Sequence, residues 1–529
     1  MNIRYKIASI LAMVIMLGFS SCTEDLNTEP LDDDVVTSAS VYEDAEGYQQ
    51  VLGKCYAGLS LTGQQGPAGM PDIQGIDEGF SSYLRTMWTH QELSTDEAVV
   101  AWSDPGLPNF NYNNWSASNG WVKAMYNRIF YQITLCNEFI RESSDGKLSE
   151  RGISGSDADA VRTYRSEVRF LRAFSYWHAI DMFGNIPFVT EEDNVGAFQP
   201  PQRSRAEVFD YIESELLDVL ENGSLKDPKQ NEYGRIDKAA AWMLLTKLYL
   251  NAEVYKGEPM YAEAMDYAER VINSAYQLDP NYEELFLADN HTADGIIFPV
   301  VFDGNNSQTY GGMNFLIHAA VGGSMSANDF GIDGGWAGIR VTPQLYNTFD
   351  DPANDSRAMF HTDGQELEIP DVTEFTNGYA VAKFKNITSE GNAGSVPGFV
   401  DTDWPVFRLA DAYLMYAEAA LRSNTGNLGT ARDYVNEVRE RAYGNDSENI
   451  TQGELTLDFL INERARELYW EGHRRTDLIR FNMYAGDDYL WAWKGGVQEG
   501  SSIGEYLRVF PIPASDINSN SNLTQNTGY

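Results

Sequence analysis

Two stretches of the chain repeat one design, a pair of amphipathic helices joined by a short turn, and few folds accommodate it. In the first, residues 240–252 carry Ala241, Leu244, Leu245, Leu248 and Tyr249 at helical spacing, turn at Lys256-Gly257-Glu258-Pro259, and continue through 261–275 with Ala264, Ala268 and Val271. In the second, Leu409, Ala412, Tyr413, Tyr416, Ala417 and Ala420 precede a turn around Gly426 and a helix with Ala431, Val435 and Val438. Alanine on one helix lets an aromatic ring of the next come close. Helix pairs of this length cannot bury their apolar faces alone, so they stack on one another. The expected fold is mainly α: a superhelix of tetratricopeptide-like helix pairs with an irregular, loop-rich portion and minor β-strands.

Three further helices precede the hairpins. Residues 45–58 put Tyr48, Leu52, Cys55 and Tyr56 on one face, and 121–141 align Met125, Ile129, Ile133 and Cys136. Residues 158–183 carry Tyr164, Val168, Leu171, Ser175 and His178, and end where Gly184 and Pro187 stop a helix. Two regions, 63–120 and 278–403, are rich in Gly, Asn, Asp, Pro and aromatics and read as functional loops on a rigid scaffold. The apolar run 295–302 predicts a short strand in the second. Together, 41–529 reads as one binding domain with these two insertions.

At the N-terminus, Arg4 and Lys6 lead into an apolar run over 7–17 and then Gly18, Ser20 and Ser21, which predicts a signal peptide over 1–21. The run is shorter than the roughly 20 residues of a spanning helix, and no later stretch is as uniformly apolar. Cys22 then stands where a lipoprotein peptidase cuts, as a diacylglycerol acceptor. Ordinary secretory cleavage is the alternative, but it gives no use to an unpaired cysteine at a new N-terminus. Several acyl chains on one residue anchor stably. Residues 22–40, acidic and polar with Pro30 and Asp32-Asp33-Asp34, read as the acylated N-terminus and a tether.

The formal net charge of -40, from 78 acidic against 38 basic residues, excludes nucleic acid and anionic lipid as partners. Neutral and cationic ligands remain. Aromatics make up 12% of the chain, with 11 Trp and 30 Tyr, and such rings cover the apolar face of a pyranose while their surroundings bond its hydroxyls. Trp88, Trp115, Trp121, Trp177, Trp242 and Trp470 lie in helical or strand-like contexts and are assigned to packing. Cys55 and Cys136 read as small buried hydrophobes. The compartment permits a disulfide between them, but a chain of this size with 43% hydrophobic residues needs no staple, and the expectation is that they stay unpaired.

No catalytic constellation stands out. Glycoside hydrolysis needs two carboxylates about 5 to 9.5 Å apart, and a helical superhelix without β/α alternation is an unusual home for them. The histidines His90, His178, His291, His318, His361 and His473 form no zinc-like pair four apart. The cluster Glu463, Arg464, Arg466, Glu467, Glu471, His473, Arg474, Arg475 and Asp477 reads as a structural ion-pair network, with Glu463 near Arg466 and Glu467 near Glu471 at helical spacing. Arg165, Arg169 and Arg172 read the same way. Asp289-Asn290, or Asp350-Asp351 with Asp355, offer hard oxygen ligands to calcium without the spacing of a dedicated loop, and no cofactor is assigned.

Several stretches carry a resemblance: Ser166-Glu167-Val168-Arg169-Phe170-Leu171-Arg172-Ala173, Phe183-Gly184-Asn185-Ile186-Pro187, Phe407-Arg408-Leu409-Ala410-Asp411-Ala412-Tyr413, Glu471-Gly472-His473-Arg474-Arg475-Thr476-Asp477-Leu478 and Phe510-Pro511-Ile512-Pro513-Ala514-Ser515-Asp516-Ile517-Asn518. With these, nearly the whole chain after residue 22 resembles the SusD/RagB family of outer-membrane nutrient-binding lipoproteins. The loops Asp77-Glu78-Gly79, Thr95-Asp96-Glu97, Tyr310-Gly311-Gly312 and Trp491-Ala492-Trp493-Lys494-Gly495-Gly496 resemble its starch-binding members in particular. Thr23-Glu24-Asp25 resembles the acidic export tag of surface lipoproteins in the same bacteria.

The resemblance implies four tetratricopeptide-like units, a cell-surface location and a SusC-like TonB-dependent transporter as partner. It implies capture of starch or α-glucan oligosaccharides without catalysis, on an arc of three aromatics that falls here on Trp102, Tyr310 and Trp336, with Arg85 and Asp77 as polar partners. The family's asparagine after the first arc tryptophan is missing. Ser103-Asp104-Pro105-Gly106 stands there, and either Asp104 takes its place as hydroxyl acceptor or the contact is lost; a second tryptophan two positions before Trp102 is Val100. A different polysaccharide, a glycoprotein glycan or a peptide is the alternative ligand, and a glycoside hydrolase is the remaining reading.

Overall fold

A computed structural model describes residues 38–529 apart from 64–65, 68–70, 76, 197 and 424. The signal peptide 1–21, Cys22 and most of the tether 22–40 lie outside the described residues. Twelve helices carry the architecture: α1 (Ala45–Ala57), α2 (Tyr83–Gln91), α3 (Gly120–Glu142), α4 (Ser156–Phe183), α5 (Arg205–Glu221), α6 (Lys238–Leu250), α7 (Tyr261–Ile272), α8 (Gly312–Ala320), α9 (Leu409–Ser423), α10 (Leu428–Tyr443), α11 (Leu457–Leu468) and α12 (Arg474–Arg480). Among the described residues no helix is long and apolar enough to cross a membrane.

The helices pack pairwise, mostly with their neighbours along the chain. α3 lies against α4, α4 against α5, α6 against α7, and α7 against α9, which in turn packs on α10. Small residues make the close approaches: Ala264, Ala268, Ala412, Ala417 and Ala420 are fully buried. Side-chain caps fix where the helices begin. Asp237 accepts from Ala239 N at 2.8 Å and Ala240 N at 3.2 Å to start α6, Asn427 caps α10, and Ser204 with Glu207 forms a capping box on α5. Each such cap is worth about 1 kcal/mol. Gly184, at φ 69°, closes α4 in a left-handed conformation that other residues resist. The result is a superhelix of tetratricopeptide-like pairs with minor strands.

The hairpin expected at 240–275 breaks once more than its pattern indicated. Buried Asn251 turns its amide back to Lys247 O at 2.8 Å and accepts from Arg480, so α6 stops at Leu250 before a short helical turn over Ala252–Lys256. The two regions read as irregular each contain a helix, α2 and α8. Both are buried on nearly every side, and a helix without a solvent face has no apolar stripe to betray it.

Four short strands matter to the site and its support. β2 (Ile296–Val300) pairs antiparallel with β4 (Trp404–Arg408), with register irregularities on either side of Phe298. β1 (Val99–Val100) pairs antiparallel with β3 (Ile339–Arg340), Val99 opposite Arg340 and Val100 opposite Ile339. That small ladder joins the two loop-rich regions.

Beneath α9–α12 the acid and base cluster forms a buried network. Arg357 meets Asp355 and Glu463 at 2.6 Å each, Arg466 and Arg439 also bond Glu463, and Arg464 joins Asp411 to Asp477. One detail departs from helical spacing. α11 ends at Leu468 and Trp470 takes φ 65°, so Glu471 lies beyond the helix and meets Glu467 through Arg408, which bonds both. Arg169 and Arg172 likewise pair with Glu215 on α5, and Arg165 with Asp145. Cys55 and Cys136 are free and buried, facing each other between α1 and α3.

Candidate functional site

The β1–β3 ladder does the positioning. Ala101 N donates to Gly338 O at 2.7 Å, so Trp102 leaves β1 on the side from which Trp336 approaches β3. The Trp102 indole N–H donates to the Trp336 carbonyl at 3.1 Å, and the two ring centroids lie 6.5 Å apart at an interplanar angle of 43°. Gly338 is required by this approach: a Cβ there would come within 2.4 Å of the Trp102 ring.

α8 forms the floor. The Trp336 ring stacks on His318, centroids 4.7 Å apart and planes 25° apart, while Trp336 N donates to His318 O at 2.7 Å. Burial holds the His318 imidazole below its usual pKa, with the Gly334 carbonyl 2.8 Å from Nδ1 acting the other way. A neutral ring donates there and lies flat beneath the indole. One turn back, Phe315 supports Trp102 at 6.1 Å.

Arg85, on α2, spreads over Phe315 at 4.4 Å, with Trp121 at 5.4 Å and Trp102 at 5.8 Å. Its Nη1 donates to Gly79 O at 2.8 Å and to Tyr310 O at 3.2 Å. Burial lowers its pKa to about 10, opposed by the charges of Asp104 and Asp77. Its Nε is buried with no hydrogen-bond partner among the described residues. Asp77 accepts from Gly79 N at 2.8 Å and so shapes the turn that Arg85 grips. Asp104 is exposed.

Tyr310, 40% exposed, stands apart from the tryptophan pair beside Phe399, at 5.6 Å. The glycines after it answer a steric need, since a Cβ on Gly311 would overlap Ser82 Oγ, the hydroxyl that caps α2 and accepts from Gly312 N at 3.2 Å. Of the residues named from the sequence, Trp102, Asp77, Asp104 and the Tyr310 carbonyl thus lie about the Arg85 guanidinium, and Trp336 joins them through Trp102. Phe315, His318 and Phe399 complete the patch and were not singled out. Phe315 and His318 sit three apart directly after Tyr310-Gly311-Gly312, a helical spacing that marks a shared face. Trp121, assigned to packing, is buried under Arg85.

The rings of the arc are partly exposed. The concavities of about 520 and 460 Å3 are lined by other residues. The Thr95-Asp96-Glu97 loop turned out to be supporting structure, with Arg474 on Asp96 and the Trp470 backbone N–H on Glu97. Among the described residues no group of three or more His, Cys, Asp or Glu is arranged to hold a metal. Of the calcium candidates, Asp355 has both carboxylate oxygens on Arg357, and Asp289 holds Ser389.

The model of the SusD family matches residues 356–529. A starch-binding protein SusD of Bacteroides thetaiotaomicron is 35% identical in an alignment covering 100% of this chain and 99% of its own. The chain belongs to the SusD family. Its fold is that of solved relatives: a SusD superfamily protein from Bacteroides thetaiotaomicron, 20% identical, superposes with a TM-score of 0.71 over 91% of this chain and 99% of that one. A surface glycan-binding protein A from the same species, in complex with laminarihexaose, is 20% identical with a TM-score of 0.69 over 91% and 99% of the two chains. This SusD-family chain is a non-enzymatic, surface-exposed outer-membrane glycan-binding protein, of a family in which partnership with a SusC-type protein is typical.

Proposed function

We propose that the chain captures starch or other α-glucan oligosaccharides on the Trp102–Trp336–Tyr310 arc and delivers them to a SusC-like TonB-dependent transporter. The tilt of 43° between the Trp102 and Trp336 rings carries this reading. Successive residues of an α-1,4-glucan follow a curve, so their apolar faces meet two inclined rings; a flat, extended chain would meet coplanar ones. Arg85, Asp77 and Asp104 bond hydroxyls beside the rings. The name of the 35% identical relative, a starch-binding protein, supports the same ligand. Cys22 carries the acyl anchor, 22–40 is the tether, and 41–529 is the binding domain.

The test is calorimetry on the chain from residue 23 onward, with maltoheptaose, pullulan, dextran, levan and laminarihexaose. Maltoheptaose binding in the micromolar to millimolar range, without release of reducing ends, is expected from three stacking contacts of roughly 1 to 3 kcal/mol each, reduced by ordering costs. Preference for laminarihexaose over maltoheptaose would move the specificity to another curved glucan. The anchor has its own test: Cys22→Ala should leave the protein outside the membrane fraction in cells lacking the transporter.

A further inference from the structure

Away from the arc, a concavity of about 520 Å3 opens beside α3, within the size range in which proteins hold small molecules. α3 lines it with the rings of Tyr126, Phe130 and Tyr131 and the amide of Asn127, and Gln74 and Asp516 line it as well. Residues four apart share a helix face, so Tyr126 and Phe130 lie side by side, centroids 4.6 Å apart, with Asn127 and Tyr131 on the adjoining stripe.

The Tyr126 ring is wedged between Phe130 and Phe183, the latter edge-on at 5.2 Å, which fixes where its hydroxyl points. The residue is 2% exposed, and the hydroxyl has no hydrogen-bond partner among the described residues. A buried hydroxyl left unpaired is costly, and an occupant of the cleft that bonds it recovers that cost.

The chemistry of the lining selects the occupant. No lysine or arginine side chain lines the cleft, while Asp72 and Asp516 do. Asp72 is answered by Arg128, and phosphate, sulfate and uronate groups find no cationic side chain on the lining to pair with. Flat ring faces, a fixed hydroxyl, two amides and two carboxylates suit a ring that is apolar on its faces and hydroxylated at its edge. We propose that this cleft is a second sugar site, taking about two neutral hexose units of the same glycan whose chain lies on the arc. This rests on the glycan-binding reading of the arc.

The two sites share a wall. The loop carrying Asp77 and Gly79 at the arc supplies Gln74 to the cleft, and Arg128 of α3 pins it through Ser81 O at 2.6 Å and Asp72 at 3.6 Å. Trp121, beneath Arg85, and Phe130 are separated by about 14 Å of rise along α3. A polysaccharide held at the arc thus brings further sugar units to the cleft at high effective concentration, so weak contacts there raise retention of long chains more than of short ones.

Ligand-observed NMR with maltotriose separates the sites. The wild-type chain is compared with a Trp102→Ala, Tyr310→Ala, Trp336→Ala variant, and with that variant further carrying Tyr126→Phe and Tyr131→Ala, each checked by circular dichroism. The arc-silenced chain should keep weak saturation transfer, and the added pair should weaken it about tenfold. Tyr126→Phe alone, which removes one oxygen atom and keeps the packing, should weaken it two- to fivefold. If the wild type binds and the arc-silenced chain shows no transfer, or if the added pair changes nothing, the second site is overturned and the arc stands. No transfer with the wild type, for maltotriose and laminaritriose alike, overturns the glycan reading and the cleft with it.

Discussion

The network under α9–α12 and the patch around Arg85 look equally loaded in the sequence, and the structure gives them opposite characters. In the network every charge is answered: Arg357 is fully buried against Asp355, Glu463 and Glu467. Burial alone would raise the Glu463 pKa, but Arg357, Arg466 and Arg439 outweigh it and hold the carboxylate well below its ordinary range. In the patch, one cation lies over aromatic rings, forms no ion pair among the described residues, and keeps donor capacity unused. Buried, ion-paired groups cannot reach a sugar. Half-exposed rings beside a cation without a counter-ion can, so charge pairing and ring exposure, and not density of charge, separate scaffold from site; unused donors do not, since Arg441 and Arg475 keep some in the network.

The largest effect should come from acid, which attacks the network as a whole. Glu463, Glu467, Asp411, Glu418 and Asp477 are all held below their ordinary pKa by surrounding arginines and lysines that outweigh burial. A depressed carboxylate contributes stability that is complete above its unfolded value near 4 and is lost as pH falls toward the folded value. Asp403 has the opposite sign: burial raises it to about 7, so the stability it contributes is complete below about 4 and fades as pH rises to about 7. The melting temperature should therefore peak near pH 5, decline gently toward pH 8, and collapse below about pH 4. A melting temperature that stays level down to pH 3 would break the comparison.

Next in size is Arg357→Ala, which strands the buried Asp355 carboxylate and takes one partner each from Glu463 and Glu467. Removing one partner of a buried ion pair costs about 3 to 5 kcal/mol. Urea unfolding should show that loss, while the folded fraction binds maltoheptaose with unchanged affinity. A tenfold loss of affinity in the folded variant would mean that network and patch are coupled.

The rings come third. Trp102→Ala or Trp336→Ala should weaken α-glucan binding about tenfold, or about 1.4 kcal/mol, with little change in the urea midpoint. Trp242→Ala, on α6, should act through stability alone. Gly338→Ala sharpens the point without touching a ring atom: its Cβ would displace the Trp102 ring and should cost nearly as much affinity as removing the ring. Unchanged affinity in the triple alanine variant of the arc would place the glycan elsewhere.

How far the sequence discloses these two regions follows from the range of the interactions involved. The α6–α7 and α9–α10 hairpins are written in local periodicity, alanine and aromatic residues three and four apart, and were legible. So were the buried roles of Trp88 and Trp470. The arc is written in contacts between segments far apart in the chain. Nothing local to Trp102 says that Ile339 will pair with Val100, or that His318 will lie under Trp336, and only the family resemblance brought Trp102, Tyr310 and Trp336 together. α2 and α8 escaped because they are buried all round, and with them Phe315 and His318. The break at Glu471 escaped because a helical spacing continues on paper past the residue where the backbone turns.

The smallest effect should come from Arg85→Ala, although Arg85 lies at the centre of the patch. Its cation is not anchored by a carboxylate, and burial already lowers its pKa to about 10, so its removal leaves no stranded opposite charge behind. What is lost is the floor contact with Phe315 and two donated bonds, to Gly79 O and Tyr310 O. Each such bond nets about 0.5 to 1.5 kcal/mol in stability, and only the part that holds Tyr310 in place reaches the ligand. Any direct bond to a sugar hydroxyl replaces a bond to water and adds little. Affinity for maltoheptaose should fall two- to fivefold, less than for either tryptophan. Arg85→Lys keeps a charge but loses the planar fork that spans both carbonyls, and should behave like Arg85→Ala. If Arg85→Ala instead abolished binding while Trp102→Ala left it intact, recognition would rest on hydrogen bonding and the stacking account of the arc would fall.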